Sequence, residues 1–99
     1  MQKGGTVYIM SNTNNRVLYT GVTANLFFRV SQHKEKSNPE SFTAKYNCTK
    51  LVYHEPYPTI EEAIAEEKRI KGGNRKAKEN LITSRNPKWK DLWEDIKNW

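Results

Sequence analysis

Five polar side chains in this 99-residue sequence stand where a reaction could use them. Tyr8, in VYIM, and Tyr19, in VLYTG, sit in short apolar runs on either side of the polar connection SNTNNR. If the runs form a hairpin, the period-two alternation of strands can place both rings on one sheet face, with both hydroxyls aimed at one spot. Filling a core is the commoner use of a strand tyrosine, so both roles stay open. Gly21, closing the second run, would let a substrate backbone approach closely. Arg29 and His33 are four apart on a helical pattern and therefore side by side. A guanidinium that grips phosphate beside an imidazole that accepts a proton is the pair phosphodiester cleavage would want; a solvated polar edge is the plainer alternative. Glu67 is the fifth. At about 100° per residue it falls within the stripe of Ile60, Ala63, Ile64 and Ile70, while Glu61, Glu62 and Glu66 fall outside it. A carboxylate there is costly unless a Lys or Arg satisfies it or it binds a metal.

The elements that must position these groups are legible in outline. Val7 to Met10 and Val17 to Thr20 read as hairpin strands, with Asn14-Asn15 in the turn. Thr23 to Lys36 reads as a helix with Thr23 as N-cap and Leu26, Phe27 and Val30 as its apolar stripe. SNPES breaks it, and FTAKY follows as a loop beside the site. Lys50 to Glu55 is a third strand, ended by PYP. Thr59 to Lys71 is a helix with a Thr59/Glu62 capping box, acidic residues early, and Lys68, Arg69 and Lys71 late. Gly72-Gly73 stops it, a further helix runs from Arg75 to Ser84, and Pro87 opens a short amphipathic helix. The order β-β-α-β-α-α predicts an α/β (α+β) fold, a small three-stranded, mainly antiparallel sheet flanked by helices. With no repeat or linker, residues 1–99 form one domain.

Composition narrows the partners. Seventeen Lys+Arg against eleven Asp+Glu give a formal charge of +6, which favours a polyanion through phosphate contacts. Only 35% of residues are apolar, so the core leans on aromatics. Trp89, Trp93 and Trp99 recur at near-helical spacing as packing residues. A lone Cys48 excludes an intrachain disulfide and points to a reducing compartment. No apolar run approaches the ~18 residues of a membrane span and no signal-peptide core is seen at the N-terminus. A cytoplasmic protein with no membrane partner is expected.

Taken in order, VYI (Val7–Ile9), YTG (Tyr19–Gly21), R-x-x-x-H at Arg29 and His33, FTAKYN, KLVYHE, AIAEEKRIKGG and NPKWKDLWED resemble the GIY-YIG nuclease superfamily, in its small, stand-alone, single-domain bacterial branch. The likeness covers almost the whole chain. It implies hydrolysis of nucleic-acid phosphodiesters with one divalent cation, Mg²⁺ or Mn²⁺, on a three-stranded sheet flanked by helices. It also implies Glu67 as the metal ligand, Tyr8 as general base with Tyr19 its hydrogen-bonding partner (the reverse being open), His33 as acceptor of the base's proton, and Arg29 on the scissile phosphate. Val7, Thr20, Val22 and Gly73 stand where relatives carry Gly, Ile, Lys and Trp. Asn86, in N-P-x-W, is the better match for the family's late asparagine.

Contacts to nucleic acid are expected from Gly21, Lys45, Tyr46, Lys71, Arg75 and Asn86, the basic run Lys71, Arg75, Lys76, Lys78 being equally suited to an ordinary solvated face. The expected activity is an endonuclease acting on DNA, with RNA the alternative polymer, and preferring a structure (branched, damaged or single-stranded) over a sequence. A protein partner would then choose the target. The rivals are an inactive nucleic-acid-binding module and an adaptor that uses the C-terminal tryptophan helix.

Overall fold

A computed structural model describes residues 4–99; the first three residues of the expected domain 1–99 lie outside the described residues. Three antiparallel strands form the sheet: β1 (Gly5–Ser11), β2 (Leu18–Thr23) and β3 (Lys50–Tyr57), in the order β2-β1-β3. The α+β sheet-and-helix architecture is as predicted, with each strand longer than its apolar run. Asn12 organises the β1–β2 turn, its Oδ1 accepting from the backbone N–H groups of Arg16 and Val17 at 2.8 and 3.0 Å. Asn15 supplies the left-handed residue, φ 62°, a conformation asparagine tolerates well.

The central strand divides two cores by alternation. Val7 and Ile9 point to one face, where they meet Val52, Tyr53, Ala63, Ile70 and Ile82. Tyr8 and Met10 point to the other, with Leu26, Val30, Cys48, Leu51 and Ile96. A register shift on β3 between the partners of Ile9 and Met10 leaves Val52 as the extra residue, so both Val52 and Tyr53 join the first core. The thiol of Cys48 is fully buried, and burial pushes its pKa up to about 11, which suits a packing residue rather than a nucleophile.

Helix α1 (Leu26–Glu35) seals the Tyr8 face. Its N-cap is Asn25, whose side chain accepts from Phe28 N–H, and not Thr23. Thr23 remains in β2, and its hydroxyl accepts from Asn25 N–H and donates to Asn25 C=O, bracing the cap from outside. The expected FTAKY loop contains a single helical turn, α2 (Phe42–Lys45), capped by Ser41. Helix α3 (Ile60–Lys71) packs on the opposite face and begins with the expected box: Thr59 accepts from Glu62 N–H and donates to Glu62 Oε1. Helix α4 (Arg75–Arg85) follows from an Asn74 cap and adds Ile82 to the same core.

The C-terminal segment departs from the expectation. Pro87 does not open a helix; the chain turns, Trp89 takes φ 53°, and only α5 (Trp93–Ile96) is helical. Backbone geometry rather than propensity decides this, because the segment is held to β3. Asp91 Oδ1 accepts from Leu51 N–H at 3.1 Å, Leu92 N–H donates to Leu51 C=O at 2.7 Å, and Lys34 bridges α1 to Asp91 at 2.6 Å. The tryptophans do pack as expected in two cases, Trp89 against the first core and Trp93 against the second, where it stacks on Phe27 at 5.3 Å. Trp99 is largely exposed, edge-on to His54.

Candidate active site

Strand register brings the two tyrosines onto one face. Tyr8 pairs with Gly21 and Tyr19 with Met10, so all four share the α1 side of the sheet, and the two rings lie 6.3 Å apart. Gly21 makes this possible. A Cβ there would stand 2.5 Å from both Cζ and Oη of Tyr8. The bare Cα is the floor on which the Tyr8 ring rests, a role inside the site that position alone did not suggest.

His33, reaching down from α1, receives Tyr8. The Tyr8 hydroxyl and His33 Nε2 are 2.9 Å apart, and His33 Nδ1 is 2.9 Å from Thr43 Oγ1. Thr43 in turn lies 3.2 Å from Ser41 Oγ, which accepts from Ala44 N–H. Arg29 stands beside the pair on α1, close enough for its charge to oppose the rise in the Tyr8 pKa. A consistent assignment directs the phenol proton at Nε2. Nδ1–H then donates to Thr43, and Thr43 donates to Ser41. The whole row is satisfied in this sense.

Electrostatics keep the resting pair neutral. Burial, then Tyr19, raise the Tyr8 pKa well above that of a free phenol, with Arg29 opposing and Glu67 reinforcing the rise. Burial, then the Arg29 cation, lower His33 from 6.5 to about 4. At neutral pH His33 is therefore an uncharged acceptor facing a protonated phenol.

Glu67 arrives from α3. It is buried, 8% exposed, on the face that also buries Ala63 and Ile70, as its place in the apolar stripe implied. A cation satisfies it: Lys71, one turn later, places Nζ 2.8 Å from Oε2. That same ammonium lies 5.9 Å from the centre of the Tyr19 ring, so the Glu67–Lys71 pair abuts the tyrosine face. The carboxylate holds the Lys71 pKa above its ordinary value.

The other sequence candidates fall into two groups. Lys45 and Tyr46 are exposed at the end of α2; Lys45 makes only a surface pair with Glu40 at 3.7 Å. Arg75 and Asn86 spend their donors inside the chain. The Arg75 guanidinium donates to the carbonyls of Asn15 and Arg16, both at 2.6 Å, and to Glu79, pinning the hairpin turn to α4. Asn86 is buried; its amide donates to Val52 C=O and Lys90 C=O and accepts from Lys90 N–H, locking the C-terminal turn to β3.

Sequence reasoning passed over Thr43, Ser41, Phe42, Gln32 and Asn38. These residues, with Tyr19, Arg29, His33 and Ser37, line a cleft of about 440 Å³ beside the phenol pair. The Ser41 cap followed by F-T-A was the one local signal for α2. Nothing local links Thr43 to an imidazole ten residues earlier.

Comparison with known proteins places the chain. It matches the GIY-YIG catalytic domain over residues 4–80. It is 33% identical over 76 residues to a UPF0213 protein of Cronobacter sakazakii (strain ATCC BAA-894), covering 77% of this chain and 78% of that one. It is also similar to the solution NMR structure of a UPF0213 protein from Bacillus halodurans, at 25% identity and a TM-score of 0.57, over 90% of this chain and 93% of the other. With Tyr8, Tyr19 and Gly21 on paired strands inside the matched span, the chain belongs to the GIY-YIG family, whose domain is a nuclease domain.

Proposed function

We propose that the protein is a metal-dependent endonuclease that hydrolyses DNA phosphodiester bonds, choosing its substrate by structure rather than by sequence. The observation that carries this reading is the 2.9 Å contact between Tyr8 and an uncharged His33, flanked by Arg29, in a chain of a nuclease family. A phenol is a poor base near neutrality. It becomes competent when its proton has a positioned acceptor and nearby cations favour the phenolate. His33 Nε2 is that acceptor once bound phosphate offsets the Arg29 charge that holds the imidazole low in the free protein, Thr43 fixes the tautomer through Nδ1, and Arg29 stabilises the charge that develops on the phosphoryl oxygens. Tyr19, its ring centre 6.3 Å away and tilted by 48°, steadies the ring.

The donor set fits one kind of cofactor. Among the described residues no group of three or more His, Cys, Asp or Glu could hold an ion, so a closed protein cage is absent there. A single buried carboxylate suits Mg²⁺ or Mn²⁺, hard cations that keep several waters and lean on substrate phosphate for the rest. Glu67 would hold it, with Lys71 swinging from the carboxylate toward phosphate. When bound, such an ion neutralises the leaving oxygen and polarises water.

Strand binding is assigned first to Arg29, Lys45, Tyr46 and Lys71, whose polar ends are accessible, and less to Arg75 and Asn86, whose donors are engaged internally. Gly21 contributes by seating Tyr8. A small protein without an evident specificity element would take its target from a protein partner. No described helix is long and apolar enough to cross a membrane, and the buried free thiol is compatible with a reducing, cytoplasmic setting.

Nicking of supercoiled plasmid tests the reading. Wild-type protein should nick in Mg²⁺ or Mn²⁺ and stop on chelation, while Glu67→Ala should bind DNA and lose at least about a hundredfold in rate. Equal cutting by Glu67→Ala would remove the metal role, and no cutting by the wild type under any divalent ion would favour a binding module.

A further inference from the structure

The cleft beside the phenol pair has features that phosphodiester chemistry does not need. Tyr19 and Phe42 give its lining two aromatic rings, and Tyr46 adjoins Phe42 just outside it. The Tyr19 ring lies 6.0 Å from Phe42, at 30° between planes, and Phe42 lies 4.7 Å from Tyr46. Phe42 is 46% exposed and Tyr46 52%, two of the four large apolar side chains that face solvent among the described residues. The row therefore begins at the half-buried Tyr19 ring and ends in water. An exposed Phe at the tip of a four-residue helix gains nothing for the fold by pointing outward.

Amides line the same cleft. Gln32 and Asn38 supply them, and the Gln32 amide makes no hydrogen bond to another described residue; Asn38 accepts only a 3.3 Å bond from Glu40 N–H. Arg29 stands at the inner end and forms no salt bridge with a described carboxylate. Flat apolar surface, free amide donors and acceptors, and a guanidinium at one end match one chemical object: a nucleobase attached to a phosphate. The volume, about 440 Å³, lies within the range of small-ligand pockets and holds a single nucleotide. A base paired in a duplex cannot present its face to a side wall, so the occupant must be unpaired.

We infer that this cleft is a nucleobase pocket that receives one unpaired base flanking the scissile phosphate, stacked on Phe42 beside the neighbouring Tyr46 ring, and that the protein therefore selects single-stranded or locally unpaired strands. The inference rests on the nuclease reading for its account of which phosphate is cut, but base capture itself does not need cleavage. Stacking on aromatic side chains is indifferent to base identity, so selection by strand state without strong selection by sequence follows. Gln32 and Asn38 would add a modest preference through the base edge.

The test measures binding in EDTA, where no cutting can occur. A single-stranded oligonucleotide carrying 2-aminopurine should lose fluorescence when wild-type protein binds, and a fully paired duplex of the same sequence should bind more weakly without that loss. Tyr46→Ala and Phe42→Leu, the latter keeping apolar contact with Tyr19, should each weaken single-strand binding about tenfold and abolish the quenching. Duplex affinity should fall much less than single-strand affinity in both variants. Wild-type quenching and affinity in both variants, or equal affinity for single strand and duplex in the wild type, would overturn the proposal. Adding Mg²⁺ separates the two readings. Quenching without cleavage would sink the nuclease assignment alone; cleavage of single strands with no quenching would sink the pocket alone.

Discussion

At the scale of the residue, Tyr8 and His33 are both held uncharged at neutral pH. His33 titrates low because burial and Arg29 both penalise the imidazolium, and the consequence reaches stability. Its folded pKa, about 4, lies below the free value of 6.5, so the unfolded chain binds the extra proton between those limits. Stability should then rise with pH from about 4 to 6.5, be fully present above that window, and be lost as pH falls through it. His54, also lowered by burial, adds in the same sense. Because the imidazole is partly exposed, the contribution is discounted to about 1–2 kcal/mol. Urea denaturation of wild type and His33→Gln at pH 4.5, 5.5 and 7 checks it: the variant should show the shallower pH dependence, and an unchanged slope would mean that the imidazole is not desolvated in the fold. Glu67 illustrates the same economy of charge. Its burial was foreseeable from helical spacing, and Lys71, at i+4, was in view as well. That their ion pair would lean on the Tyr19 ring depends on how α3 crosses the sheet, which no spacing rule encodes.

At the scale of the element, register does most of the positioning. Tyr8 opposite Gly21 is a large-against-nothing pair, and the ring occupies the space a side chain would take. Gly21→Ala should accordingly displace Tyr8 rather than merely stiffen β2. Overpacking of this kind costs about 1–3 kcal/mol. Thermal unfolding should show a lowered midpoint together with loss of nicking, whereas Thr20→Ala, on the other face of the same strand, should lose stability with less effect on nicking. A Gly21→Ala protein as active as the wild type would break the link between register and site. Elements also explain what local patterns missed. The Thr23 cap was a reasonable choice by residue type, but β2 runs through Thr23 because Thr6 pairs with it, and the helix waits two residues for Asn25. The α2 turn was hidden because four residues carry no periodicity; it exists by the Ser41 cap and by burial of Thr43 and Ala44. Pro87 suggested a helix start, and the bonds of Asp91 and Leu92 to Leu51 overruled it.

At the scale of the whole molecule, both faces of one thin sheet serve one place. The Tyr8 face carries the phenols, His33 and Arg29, while α3 on the opposite face sends Glu67 and Lys71 to the same neighbourhood at the β2 edge. The three-stranded fold, the hairpin and the principal helices were legible because alternation, capping and charge placement agreed with one another along VYIM, VLYTG and TIEEAIAEEKRIK. Convergence of Tyr8, Tyr19, Arg29, His33 and Glu67 was expected only through the family resemblance, since no local pattern encodes contacts across 25 residues for Tyr8 and His33 or across ten for His33 and Thr43. The formal charge of +6 favours any polyanion and distinguishes no mechanism. The decisive quantity is what the buried phenol does. Single-turnover cleavage of a DNA oligonucleotide in Mg²⁺ by wild type and Tyr8→Phe, with DNA affinity measured alongside, isolates one oxygen in an otherwise intact site. The account predicts unchanged affinity and a cleavage rate lower by about 10²–10⁴; cleavage by Tyr8→Phe at the wild-type rate would contradict it.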